Sequence, residues 1–242
     1  MQNLTSVLRN GAARFALACV VAFGVSTSAL AQSNLVNVKI SLTVDNIYAL
    51  FAVDPSTNSL TLIGSNANLE NTEDYDFPAP FGSYIYVVGR DVGVVAMFVS
   101  KTVFNNSITV LTGVTNPFAN WEVNTIYRDN SFDITQPSVV QNWGGDWEAP
   151  AVGRYVWGPG DQPYGDPNVY DLFYQAVYGA RFIWAQPGGG NQYQGLYDQW
   201  GFAGYTGVGT ALFRLQVVPE PASLMALGAG LAGLLGLRRR KQ

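Results

Sequence analysis

"VKISLTV", residues 38–44, decides the fold. Val38, Ile40, Leu42 and Val44 alternate strictly with Lys39, Ser41 and Thr43. Successive side chains of a strand point to opposite faces, so this period of two predicts a half-buried β-strand. The pattern recurs on the C-terminal side. "IYALFAV" at 47–53 and "LTLIG" at 60–64 are divided by Asp54-Pro55-Ser56-Thr57-Asn58, a turn cluster. "SYIYVVGR" at 83–90 and "GVVAMFV" at 93–99 flank Asp91-Val92, which predicts a hairpin. Both are apolar on two faces, as strands covered on both sides are. "SITVLTG" at 107–113, "EVNTIYR" at 122–128, "RYVWG" at 154–158, "ARFIWA" at 180–185 and "TALFRLQV" at 210–217 continue the series. Many short strands with little helical periodicity predict an all-β fold, a jelly-roll-like or other antiparallel β-sandwich.

Residues 42–98 resemble the edge of jelly-roll, lectin-like modules, in which "DNxYxLxV" precedes a strand pair ending in "YxxVxxxD". The matching residues are Asp45, Asn46, Tyr48, Leu50, Ala52, Tyr84, Val87 and Asp91. The turn departs from that pattern, with Val53-Asp54-Pro55 where such modules carry Asn-Gly. The likeness bears on fold rather than ligand. No internal repeat of solenoid or propeller period is present, and no linker divides the chain.

The ends carry a different signal. Residues 222–237 are sixteen residues without a charge, followed by Arg238, Arg239, Arg240 and Lys241. As a helix such a run spans about 24 Å, short of the usual bilayer crossing, and thin membranes or snorkelling cations can make up the difference. The cations resist translocation and favour the cytoplasmic side. Pro219-Glu220-Pro221 precede the run and cannot continue a helix, which keeps this stretch extended and accessible. The order Pro-Glu-Pro, apolar segment, basic cluster resembles the PEP-CTERM sorting signal of Gram-negative bacteria. That resemblance covers about a tenth of the chain. It implies recognition by exosortase, a membrane-embedded cysteine protease or transpeptidase that removes the tail. It assigns Pro219, Glu220, Pro221, Arg238, Arg239 and Arg240 to the signal.

At the other terminus Arg9 and Arg14 precede an apolar core at residues 15–25, and Ala29 and Ala31 frame a small-x-small cleavage site. This predicts a secretory signal peptide at 1–31, with a mature chain from Gln32. No twin-arginine pair is present, so the general secretory route is expected. The predicted organisation is a signal helix at 1–31, one sandwich domain at 32–218, and a sorting signal with a transmembrane-like helix at 219–242. The expected itinerary runs from an inner-membrane-tethered precursor to the cell surface or extracellular matrix.

Of thirteen Lys and Arg, six lie in these ends, and of seventeen Asp and Glu only Glu220 does. Seven bases against sixteen acids leave the mature domain at −9, which argues against nucleic acid and anionic membrane surfaces as partners. The single cysteine, Cys19, falls in the signal peptide, and the chain has no histidine. Ser-His-Asp and Cys-His nucleophiles, structural zinc sites and imidazole proton shuttles are therefore unavailable to the mature domain. "PGGGNQ" at 187–192 is followed by polar and aromatic residues rather than a helix, and reads as a turn, not a phosphate loop.

What remains is carbohydrate chemistry. All six tryptophans, Trp121, Trp143, Trp147, Trp157, Trp184 and Trp200, fall between the chain's midpoint and residue 200, among Asn, Gln, Asp and Gly. Flat aromatic faces bury sugar C–H surfaces while amides and carboxylates take the hydroxyls. Trp157 and Trp184 lie in apolar strands and are expected in the core. Trp143, Trp147 and Trp200 lie in glycine-rich segments, are expected at the surface, and are the glycan-contact candidates. Asp161, Asp166 and Asp171 recur at fives in a Gly/Pro loop and are calcium candidates, though aspartate also serves turns by bonding its own backbone. No cofactor is expected. The sequence thus reads as a non-catalytic surface or matrix protein, with exosortase and exopolysaccharide as partners and membrane contact through the tail before processing. A glycoside hydrolase on the same fold is the alternative, with Glu122 and Glu148 as its carboxylate pair.

Overall fold

The computed structural model describes residues 35–67, 72–91, 97–124, 132–155, 175–184 and 209–219. The signal peptide, the sorting signal from Glu220 onward, Trp157, Trp200, Asp161, Asp166 and Asp171 lie outside them. The described residues form eleven strands and one short α-helix: β1 (Leu35–Asp45), β2 (Ile47–Asp54), β3 (Ser59–Asn66), β4 (Glu73–Pro80), β5 (Tyr84–Asp91), β6 (Met97–Phe104), β7 (Ile108–Leu111), β8 (Glu122–Asn124), α1 (Pro137–Gln141), β9 (Ala151–Tyr155), β10 (Arg181–Trp184) and β11 (Gly209–Gln216). Among the described residues no helix is long and apolar enough to cross a membrane.

The strands make two antiparallel sheets. One runs β4-β1-β6-β10-β9 with β7 also paired to β6; the other runs β3-β2-β5-β11-β8. The alternation of 38–44 works as predicted. Val38, Ile40, Leu42 and Val44 are buried between the sheets against Tyr48, Leu50, Ile85, Val87, Phe98 and Phe213. Fully burying each aliphatic or aromatic side chain is worth about 1.5–3 kcal/mol, so this inner layer dominates folding. Phe98 and Phe213 meet across it with ring centroids 4.8 Å apart. Gly89 has no side chain because a Cβ there would stand 3.0 Å from Val44 and 3.1 Å from Trp184.

The predicted hairpin around Asp91 does not form. β5 pairs with β2 and β11, whereas β6 lies in the other sheet and pairs with β1, β7 and β10. A strand apolar on both faces needs cover on both rather than its sequence neighbour beside it, and β5 has Ile85 and Val87 in the inner core and Val88 in a second cluster on the other face. β6 instead forms a hairpin with β7 across residues 105–107, with Asn105 and Asn106 at positive φ. Their φ values of 48° and 58° suit the right-handed twist of the flanking strands.

β4 carries Pro78 and Pro80, which an edge strand tolerates. It is tied to β1 by a Ser41–Asp74 hydrogen bond and a Lys39–Asp76 ion pair at 3.9 Å. Tyr75 of β4 reaches the other sheet, where its hydroxyl meets that of Tyr48 at 3.0 Å. Its ring fills the space that a side chain at Gly64 would take, beside the bulge that leaves Ile63 unpaired between Leu50 and Phe51.

Candidate functional site

The outer face of the β3-β2-β5-β11-β8 sheet is covered by a strap, residues 132–148. Ala49, Phe51, Val88 and Leu212 of the sheet pack against Ile134, Val139, Val140 and Trp143 of the strap. Asp133 starts the local fold by accepting from the Thr135 amide at 2.9 Å, the Thr135 hydroxyl at 2.7 Å and Gln136 Nε2 at 2.9 Å. These bonds hold its carboxyl down to about 2. Pro137 then opens α1, a position where its missing N–H costs nothing.

Two arginines of the sheet clamp the strap at its ends. Arg90 Nη2 donates to the Phe132 carbonyl at 2.6 Å, and the guanidinium sits 4.7 Å from that ring's centroid. Arg214 is flanked across its strand by Tyr86 and Glu122. Its Nε donates to Glu122 Oε2 at 2.6 Å. Its guanidinium lies 4.0 Å from the Trp147 centroid and 4.5 Å from that of Tyr84. Tyr86 completes the patch, 6.3 Å from Trp147 and 6.1 Å from Tyr84. Burial pushes the Tyr86 hydroxyl above its ordinary value, against the opposing pull of Arg214. Trp147 itself is half-buried.

The structure separates the predicted aromatic candidates. Trp143 is buried at 8 % exposure, edge-on to Phe132, and so corrects the expectation of a surface ring. Trp184 is buried as expected, against Phe213. Trp121, also buried, meets Phe98 edge-to-face at 4.9 Å. Trp121 also walls a groove of about 340 Å³ together with Leu111, Thr115, Asn120, Pro150 and Val152. The Asn120 side chain is committed to Asn116, whose amide and carbonyl it holds at 2.8 Å each. Glu122 and Glu148 come onto neighbouring segments, because Glu148 exchanges backbone hydrogen bonds with Val123 at 2.9 and 3.0 Å. The Glu122 carboxylate, however, is held by Arg214. Among the described residues no group of three or more acidic, histidine or cysteine side chains could hold a metal ion.

Sequence reasoning missed Arg214 and the pair Asp45–Asp91. The signal for Arg214 was present: a charge inside "TALFRLQV", on the face shared with buried Leu212. Asp91 is fully buried at the end of β5, and burial together with its charge pushes the Asp45 carboxyl up to about 7.

The fold runs without a linker into the basic-tailed end of the chain. After β11, Val217 donates to the Ser83 carbonyl at 2.9 Å and accepts from Gly82 at 3.0 Å. Val217 and Val218 are both buried in the inner core. Pro219 follows at once. No curated protein and no solved structure matches the chain. Residues 217–241 do match a family, the PEP-CTERM protein-sorting motif. The chain carries a PEP-CTERM sorting motif, which implies secretion, a precursor anchored in the membrane by its C-terminus, and processing by exosortase.

Proposed function

We propose that this protein is a non-catalytic surface or matrix component that contacts glycan through the aromatic patch around Trp147. The observation that carries the reading is the arrangement of Trp147, Tyr84 and Tyr86 around Arg214 on the outer sheet face. An indole braced from behind by a guanidinium keeps a fixed orientation, so little side-chain freedom is lost when a sugar ring stacks on its free side. Phenolic hydroxyls and the exposed part of Glu122 stand near enough to take sugar hydroxyls. The jelly-roll-like reading of the sandwich accords with this role, since such modules commonly present aromatic faces to saccharides. The hydrolase alternative has less support, because one of its two carboxylates is occupied by Arg214.

Co-sedimentation of the secreted domain with exopolysaccharide of the producing cells, run beside a reducing-end assay, tests the proposal. Saturable binding that is lost in Trp147→Ala, without new reducing ends, is the expected result. Turnover would favour the enzyme, and binding unaffected by Trp147→Ala would move the contact elsewhere.

A further inference from the structure

The junction between fold and sorting motif constrains how the anchored precursor sits. Val218 is the last buried residue among those described, and only Pro219, Glu220 and Pro221 separate it from the uncharged run at 222–237. The four steps from Val218 to Ala222 span at most about 14 Å when extended. The end of the sandwich where the chain leaves must therefore lie within that distance of the apolar segment.

That end can be identified from register. Tyr84 pairs with Gln216, and Val217 is bonded to Gly82 and Ser83, so the β4–β5 turn lies beside the exit. Phe51 pairs with Tyr86, so β2 runs toward the same end and the turn at 55–58 follows it there. Val38 pairs with Phe104, and Asn105 is bonded to Asn37, which puts the β6–β7 turn at the start of β1. The start of β1 shares this end, because Lys39 and Ser41 meet Asp76 and Asp74 in the opposite order along β4. The described turns at 54–58, 81–83 and 105–107 carry one charge between them, Asp54, whose carboxylate accepts from the Ser56 amide and hydroxyl at 2.7 Å each, although the mature domain has sixteen acidic residues. Phe81 projects from the β4–β5 turn with 51 % of its surface exposed. Gly82, at φ 80°, takes the positive-φ position of that turn, which holds Phe81 at its tip. The loop carrying Phe118, 45 % exposed, is tied toward the same end through Asn116 Nδ2 and the Thr109 carbonyl. The opposite end holds Asp45, Arg90 and Asp91. Exposed Ala67 belongs to that opposite end too, because it follows Asn66, the partner of Tyr48 at the start of β2.

We infer that in the anchored precursor the end of the sandwich formed by these turns rests on the lipid bilayer, with Phe81 entering the headgroup boundary. The inference rests on the membrane-anchored precursor that the sorting motif implies. Aromatic side chains favour that boundary, and the described turns bring it only one carboxylate, Asp54, for an anionic leaflet to repel, the other described acids lying further from it. The docked end also holds Val217 and Val218 in the core, so exosortase is offered only the chain from Pro219 onward.

The test uses the precursor from Gln32 to Gln242, which contains no cysteine of its own. It is placed in phosphatidylethanolamine–phosphatidylglycerol vesicles containing doxyl-labelled lipid. Single cysteines carrying a fluorophore are introduced as Phe81→Cys, as Ala67→Cys on the opposite end, and as Leu235→Cys in the tail. Quenching at 81 at least two-fold above that at 67, with strong quenching at 235, is expected. A second label, Ser56→Cys in the neighbouring turn, should lose most of its quenching when Phe81→Ser is added. Quenching at 235 with equal, low values at 81 and 67 would overturn the docking while leaving the anchor intact. Low quenching at all three positions would overturn the anchor and the docking with it. Shielding at 81 that appears only when a membrane protein partner is added would overturn the lipid assignment in favour of a protein surface.

Discussion

The Arg214 guanidinium stands 4.0 Å from the centroid of the Trp147 ring, and one residue thereby joins a sheet, an ion pair and a surface aromatic. The contact explains why a cation is retained in β11 between Phe213 and Leu215. Its aliphatic stem covers apolar surface, while its planar head fits between Trp147 and Tyr84.

Arg214→Ala should lower stability by about 1–2 kcal/mol, because a half-exposed ion pair adds little but two stacked rings and the stem packing are lost together. Arg214→Lys should recover less than half of that loss, since an ammonium cannot stack as a plane. Urea unfolding followed by tryptophan fluorescence measures both. Full recovery by lysine would mean that charge alone matters.

Trp143 and Trp147 should part company under mutation. Trp143→Ala removes a buried ring and should cost about 3–5 kcal/mol. Trp147→Ala should cost less than half as much and leave the far-UV spectrum unchanged. Equal losses would mean that Trp147 is a core residue and a poor candidate for ligand contact.

Gly64→Ala should destabilise by about 1–3 kcal/mol, because the new methyl meets the Tyr75 ring. Adding Tyr75→Ala should make the glycine substitution nearly neutral, which a double-mutant cycle from chemical unfolding would read. An additive pair would show that the ring has room to move.

Asp45 predicts a slope of stability with pH. Its carboxyl is raised from 3.8 to about 7, so the folded state holds the proton more tightly than the unfolded chain. Stability should be greatest near pH 4, fall as pH rises toward 7, and level off above it. Asp133 and Asp54 act in the opposite sense, because hydrogen bonds lower both, but their effect belongs to pH below about 4. Asp45→Asn should flatten the thermal midpoint between pH 4.5 and 7.5 and raise it at 7.5 by a few degrees, about what 1 kcal/mol gives a domain of this size. An unchanged slope would assign the titration to another group.

The strands with alternating or doubly apolar patterns were legible because burial writes its period directly into the sequence. β1, β2, β3 and β11 follow their predicted ranges within a few residues. β4 was not legible. Its "EDYDFPAP" is acidic and proline-bearing, and only its edge position makes that composition workable. The pairing of β5 and β6 was misread because adjacency in sequence says nothing about which sheet a strand joins. Trp143 was misplaced for a similar reason. A glycine-rich neighbourhood predicts a loop, but α1, five residues long, turns the ring down onto the sheet. The sorting motif was legible in full, since its three parts act through order and composition rather than tertiary contact.

Intact-mass and terminal-peptide mass spectrometry of the protein recovered from the surface of the producing cells is the most direct test of the account. The expected surface protein begins at Gln32, keeps Val217 and Val218, and lacks Arg238, Arg239, Arg240 and Lys241. A surface protein still ending at Gln242, or one cut before Val218, would contradict it.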